Sequence, residues 1–272
     1  MELGEKIASG RSADIHAWNR GQVVKLFLPA CAQVAETEAT AARLAAAARL
    51  PVPAFFGRIE RDGRVGLVFA RVDSPSLDIR MQRRPWQARQ CMRSFARLHA
   101  QIHSVCAPDL ASLHERLAER ICLAVVDEGL KNAALRLLAH LPEGDRLCHG
   151  DFHPGNVLLT PAGPIAIDWP NAARGVPDAD VAQSILLFRH AAPLTVPIGR
   201  TFLRLGRSFA ARSYVSAYLA AGTVDRDACD RWLPVLAVAR LAEGIASERQ
   251  KLISLAQRAL RRDAPVVRRG DR

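Results

Sequence analysis

Three oxygen-bearing side chains lie close together in the chain: Asp151, Asn156 and Asp168. Asp151 opens the segment Asp151-Phe152-His153-Pro154-Gly155-Asn156, where Pro154 and Gly155 work against a regular helix or central strand. Two apolar triplets follow, Val157-Leu158-Leu159 and Ile165-Ala166-Ile167, joined by Thr160-Pro161-Ala162-Gly163-Pro164. An apolar run, a Pro/Gly turn and a second apolar run predict a β-hairpin with a five-residue loop. With Leu159 facing Ile165, antiparallel register sets Asn156 opposite Asp168, and directly opposed residues have Cβ atoms roughly 4.5–5.5 Å apart. A carboxamide oxygen and a carboxylate would then meet at the open end of the hairpin. Both are hard ligands suited to Mg²⁺, which keeps its other positions for water and phosphate oxygens. Asp151, held on the loop beside such an ion, can orient a hydroxyl and accept its proton.

The longer motif His149-Gly150-Asp151-Phe152-His153-Pro154-Gly155-Asn156, with Ile167-Asp168-Trp169 downstream, resembles the aminoglycoside phosphotransferase family. That family is similar in turn to choline and fructosamine kinases, and its centre to the protein-kinase-like catalytic centre. The resemblance implies an α+β, two-lobed protein-kinase-like fold. A small antiparallel-sheet lobe with one helix would occupy residues 1–72, and a larger, mainly helical lobe residues 73–272. It implies ATP and Mg²⁺, with Asp151 as the base and Asn156 and Asp168 as the metal ligands. Lys25 would hold the α- and β-phosphates, oriented by a glutamate of the next helix. Glu36 and Glu38 both qualify; Glu38 is preferred for its position relative to the Pro51-Val52-Pro53 stop. Gly10 and Ser12 would lie in the phosphate loop, and the backbone near Phe69 and Arg71 would meet the base. His149 and Asp180 would support the catalytic loop.

The rest of the chain must position these groups. Ala13-Asp14-Ile15-His16-Ala17-Trp18 and Gln22-Val23-Val24-Lys25-Leu26-Phe27 read as strands around the turn Asn19-Arg20-Gly21. Lys25 sits mid-strand, so its ammonium must be paired or reach solvent. The small-residue stretch Ser9-Gly10-Arg11-Ser12 can bring backbone N–H groups near phosphates. Residues 34–49 are rich in good helix formers and end at Leu50-Pro51-Val52-Pro53. Residues 55–59 and 64–72 predict two more strands around Arg61-Asp62-Gly63. From about residue 74 the pattern turns helical. Residues 86–103 have apolar positions at helical spacing, with His99 and His103 four apart as core or capping histidines. Residues 110–141 predict one or two helices, Asp178 a helix cap, and residues 202–221 and 227–260 the last two helices, with Pro234 near a start or a kink. Arg261 onward reads as a frayed basic tail.

Composition narrows the classes. The chain has 272 residues, 49% hydrophobic and 24% charged, which suits a globular protein of two lobes. Residues 1–6 do not resemble a secretion signal. The uncharged run 213–224 is far short of bilayer length, so the expected location is cytoplasmic, with no membrane partner. Six cysteines, none in a C-x-x-C pair, read as reduced and mostly buried thiols. Formal net charge is +11, yet no nucleic-acid-binding motif accompanies it and only 6% of residues are aromatic. A solvated arginine-rich surface explains the charge without nucleic acid as a partner.

These readings converge on phosphorylation of a hydroxyl on a small molecule. The alternatives are a protein kinase and a non-catalytic nucleotide-binding module. Only nine residues separate Asp168 from Asp178, too few for a regulatory activation loop. All the key polar positions are filled, which argues against a non-catalytic module. In the last helices arginines outnumber acids, so a polycationic aminoglycoside is not the favoured acceptor. Glu243 and Glu248 read equally as pocket acids or surface residues.

Overall fold

The chain opens with strands β1 (Lys6–Ser9), β2 (Ala13–Ala17) and β3 (Gln22–Phe27), then helix α1 (Ala32–Ala47), then strands β4 (Phe55–Arg61) and β5 (Arg64–Ala70). In this computed structural model, residues 3–190, 200–220 and 224–262 are described. The five strands form one antiparallel sheet in the order β1-β2-β3-β5-β4. Asp62 and Gly63 make the β4–β5 turn with φ of 51° and 69°. A two-residue hairpin turn with both φ positive matches the twist of its strands, and Asp-Gly is a pair that tolerates it. Helix α1 begins earlier than the expected residue 34, after a 3₁₀ turn over Pro29–Cys31. Ala35, Ala39 and Ala42 are buried on one side of α1, and Ala35 and Ala39 pack with Ala13, Phe27 and Leu67 of the sheet. Small alanine side chains let the helix approach the strands closely, and Glu38 shares their face by the same i, i+3, i+4, i+7 spacing.

The remaining chain is mainly helical: α2 (Leu77–Arg83), α3 (Ala88–His103), α4 (Leu113–Leu123), α5 (Glu128–Leu138), α6 (Pro177–His190), α7 (Arg200–Leu219), α8 (Arg226–Arg240) and α9 (Ala246–Arg262). Two short antiparallel pairs lie between α5 and α6: β6 (Arg146–Cys148) with β9 (Ala173–Gly175), and β7 (Val157–Thr160) with β8 (Gly163–Ala166). Helix α6 is buried from Ala179 to Phe188 without a break. A helix covered all round sits at the centre of its lobe. Around it the core is aromatic, with Phe95 stacked on Phe152 at 4.2 Å and Tyr214, Tyr218 and Trp232 fully buried.

The single helix expected over 227–260 is two, broken at Gly244, whose φ of 68° ends the helical path. Pro234 lies inside α8, beyond its first turn. Asp178 is not a cap: Pro177 already begins α6, which places Asp178 in the first turn. All six cysteines are free, but Cys106 and Cys122 are exposed and Cys31 only half-buried. The tail from residue 263 lies outside the described residues. Among the described residues, no helix is long and apolar enough to cross a membrane.

Candidate active site

Lys25 lies on β3 opposite Ile15 and Leu67, on the sheet face that α1 covers. Its Nζ donates to both carboxylate oxygens of Glu38, at 2.9 and 2.7 Å, and to Asp168 Oδ1. Glu36 is not involved; it pairs with Arg58 at 3.2 Å. Burial opposes the charge on Lys25, but the Glu38 and Asp168 carboxylates outweigh it and hold the ammonium above its ordinary pKa. The backbone N–H of Trp169 also donates to Glu38. One helix, one strand and the residues just past the β7–β8 hairpin are thereby joined.

The hairpin itself departs from the expected register. Val157 pairs with Ala166 and Thr160 with Gly163, so the turn is the two residues Pro161 and Ala162. The Thr160 hydroxyl closes it, donating to Gly163 O at 2.8 Å and accepting Ala162 N–H at 3.2 Å. Asn156 therefore lies opposite Ile167, whose N–H donates to Asn156 O at 3.0 Å. A one-residue slip sends side chains to opposite faces of a strand. Asp168, one position further on, has φ 68°, a left-handed conformation that short polar residues tolerate. This turn carries its carboxylate to Lys25. Asn156 is buried, and its amide donates to Asp151 O at 3.0 Å.

The loop that carries Asp151 is held from below. Asp180 Oδ2 accepts the N–H of His149 at 2.6 Å, and Oδ1 that of Gly150 at 2.9 Å. Gly150 has φ 75°, and a Cβ there would stand 2.3 Å from Asn171 O, so only glycine fits. Asp180 Oδ2 also accepts from Nε2 of His99 at 3.1 Å and of His103 at 3.2 Å. Each imidazole accepts a tyrosine hydroxyl at Nδ1: Tyr214 at 2.7 Å and Tyr218 at 2.5 Å. Burial alone would raise the Asp180 pKa, but the two histidine hydrogen bonds hold it well below the usual carboxylate range. Asp180 was expected in this role; the part that His99, His103, Tyr214 and Tyr218 play in the brace went unread in the sequence. The available signal was two four-residue spacings, His99/His103 and Tyr214/Tyr218, which match turn for turn on neighbouring helices. His149 is itself fully buried and donates from Nε2 to Ile167 O at 3.1 Å.

Asp151 opens onto a cleft of about 1570 Å³ that runs between the sheet and the helices. Its carboxyl lies 3.7 Å from His153 Nε2. Burial pushes its pKa up, but the His153 hydrogen bond and the charges of His153, His149 and Arg240 bring it below the ordinary value. Lys25, Glu38, Asp168, Gly10, Ser12, Phe69 and Arg71 line the same cleft. Asn156 and His149, both buried, do not line it. Gly10 keeps an ordinary φ, and its N–H is spent on Ala13 O at 2.8 Å. The Arg71 N–H is likewise taken, by Gly21 O at 2.8 Å. On the other side of the cleft, Arg240, Glu243 and Glu248 are joined by Arg116 and Arg120 of α4. Neither arginine had a sequence signal: Arg120 pairs with Glu243, 123 residues away, and Arg116 reaches backbone carbonyls 54 and 56 residues away.

A small sheet with one helix, a larger helical lobe and a charged cleft between them define a two-lobed protein-kinase-like fold. The chain belongs to the phosphotransferase enzyme family, whose model matches residues 4–232. No curated protein matches it in sequence. Among solved structures it is similar to a type VIII aminoglycoside-3'-phosphotransferase, at 22% identity and TM-score 0.60, over 89% of this chain and 92% of that one. It is also similar to an amicoumacin kinase in complex with AMP-PNP and Ca²⁺, at 14% identity and TM-score 0.62, over 96% and 88%. A third is the macrolide 2'-phosphotransferase of Brachybacterium faecium, at 18% identity and TM-score 0.53, over 94% and 91%. At these identities the likeness is one of fold.

Proposed function

We propose that the chain transfers the γ-phosphoryl group of ATP to a hydroxyl of a small molecule. The observation that carries this reading is the meeting of Lys25, Glu38 and Asp168 in the cleft that also holds Asp151. In the reaction, Asp151 accepts the hydroxyl proton as the new O–P bond forms. The bond from the γ-phosphorus to the β–γ bridging oxygen breaks, and ADP leaves. Asp151 suits this role because its carboxylate opens onto the cleft and is ionised at neutral pH. Lys25 neutralises the α- and β-phosphates, fixed by Glu38. Asp180 sets the loop backbone so that Asp151 keeps its aim.

The donor set fits a hard divalent ion. The Asp168 side chain is 41% exposed in the cleft, and the Asn156 amide nitrogen is spent on Asp151, which leaves its oxygen for a cation. Mg²⁺ held there supplies charge neutralisation at the transferring group. The amicoumacin kinase complex with AMP-PNP and Ca²⁺ supports a nucleotide and a divalent ion in this family. With its N–H spent on Gly21 O, the Arg71 amide is not available to the base. The division of lobes lies near residue 72, and free thiols suit a cytoplasmic location.

A screen of hydroxyl-bearing metabolites and antibiotics for Mg²⁺-dependent ADP release tests the activity. On an acceptor so found, Asp151→Asn keeps ATP affinity and loses about 10²–10⁴-fold in kcat. Near-wild-type turnover by that variant would remove Asp151 from the role of base.

A further inference from the structure

Building on the phosphotransferase reading, the charges on the α4 side of the cleft define the acceptor further. Five ionised side chains line it: Arg116, Arg120, Arg240, Glu243 and Glu248. Both glutamates are fully engaged. Glu248 accepts a two-pronged bond from Arg240, at 2.6 and 3.1 Å. Glu243 accepts from Arg120 at 2.5 Å, from Arg240 at 3.3 Å, and across the cleft from Arg11 at 2.9 Å. Neither offers a spare carboxylate to an ammonium group. Asp78, also on the cleft wall, accepts the Ser76 hydroxyl and the Ile79 N–H.

Arg116 is the reverse case. Its guanidinium is half-buried, and among the described residues no carboxylate lies within ion-pair distance. It donates to two neutral carbonyls, Ala172 O at 2.7 Å and Pro170 O at 3.1 Å. These fix the fork and leave part of its five-donor capacity for a ligand. Burial and the neighbouring Arg120 work against its charge and outweigh the Glu119 carboxylate, which favours it. A half-buried cation beside another cation is costly unless an anion joins it. A guanidinium fork matches a carboxylate or phosphate with two parallel hydrogen bonds.

We propose that the acceptor is a hydroxyl compound that also bears an oxyanion, a carboxylate or a phosphate, and that this group docks on Arg116 beside Arg120. The site then selects against polycations. The amino groups of an aminoglycoside would meet arginines where they need acids.

The test is a matched panel on one scaffold: gluconate, glucose 6-phosphate, glucose and glucosamine, extended by glycerate, 3-phosphoglycerate, glycerol and kanamycin. ADP release is read with MgATP, and MgATP binding is measured separately by calorimetry. An anionic member should exceed its neutral and amino counterparts by at least about tenfold in kcat/KM, and the carboxylate and phosphate arms show which oxyanion is taken. Arg116→Gln should raise KM for that acceptor about 10–100-fold, more than it changes KM for ATP. Arg116→Lys, which restores charge without the fork, should recover part of the loss. The proposal is overturned if glucosamine, kanamycin or a neutral member is the better acceptor, or if no anionic member is used by a protein that binds MgATP. It is also overturned if Arg116→Gln lowers only the melting temperature, which would leave Arg116 a brace for residues 170–172. Failure to bind MgATP at all would instead remove the phosphotransferase reading beneath it.

Discussion

Lys25 carries a charge between two carboxylates, and each of them also depends on it. Glu38 is 2% exposed, so removing the ammonium leaves a buried carboxylate with no cation. Breaking such a pair from one side costs about 3 kcal/mol or more, most of it the stranded charge. Lys25→Met should therefore destabilise the protein and raise KM for ATP. Adding Glu38→Gln should return part of the stability and none of the ATP affinity. Urea unfolding and ATP titration of the two variants read these effects separately; equal recovery of both would make Lys25 a structural residue only. The pairing of Lys25 with Glu38 was legible in the sequence only from the position of Glu38 relative to the Pro51-Val52-Pro53 stop; the alanine face it shares with Ala35, Ala39 and Ala42 is the physical reason. The hairpin register was not legible. It depends on the Thr160 hydroxyl closing a two-residue turn, and triplet matching alone cannot see that bond.

Helices α3, α6 and α7 hold the Asp151 loop through Asp180 and its histidines. His99 is fully buried, and burial together with the nearby His103 lowers its pKa to about 3, despite Asp180. An unfolded histidine titrates near pH 6.5. Between those values the unfolded chain binds a proton that the folded chain refuses, so stability falls as pH drops below about 6.5. The slope from this one group is about 1.4 kcal/mol per pH unit. Buried His149 and half-buried His190 act with the same sign. Asp180, with its depressed pKa, contributes stability above about pH 3.9 that is lost only in stronger acid, outside this window. Urea midpoints taken from pH 7.5 to pH 5 should fall, and His99→Gln should flatten the fall without abolishing it. An unchanged slope in that variant would mean that His99 is protonated in the folded protein. Strands β2 to β5, the β7–β8 hairpin and most helices were legible from period and turn residues, whereas the short strands β1, β6 and β9 were not. The breaks at Gly244 and before Pro177 were less legible, because helix-forming residues flank both.

At the scale of the whole molecule, the cleft is where distant stretches meet. Lys25 and Asp168 are 143 residues apart, and Arg11 reaches Glu243 over 232. Motif order along the chain made the first meeting legible, since the resemblance fixes which strand and which hairpin converge. The second was hidden: Arg11 and Arg120 look like two more solvated arginines in a chain of net charge +11. Phosphoryl transfer in this cleft requires Asp168 to hold the divalent ion that carries the nucleotide phosphates. This role of Asp168 is tested most directly by titrating an ATP analogue with and without Mg²⁺, in the wild type and in Asp168→Ala. Mg²⁺ should tighten binding to the wild type, and Asp168→Ala should remove this dependence. An equal Mg²⁺ effect in both proteins would contradict that role.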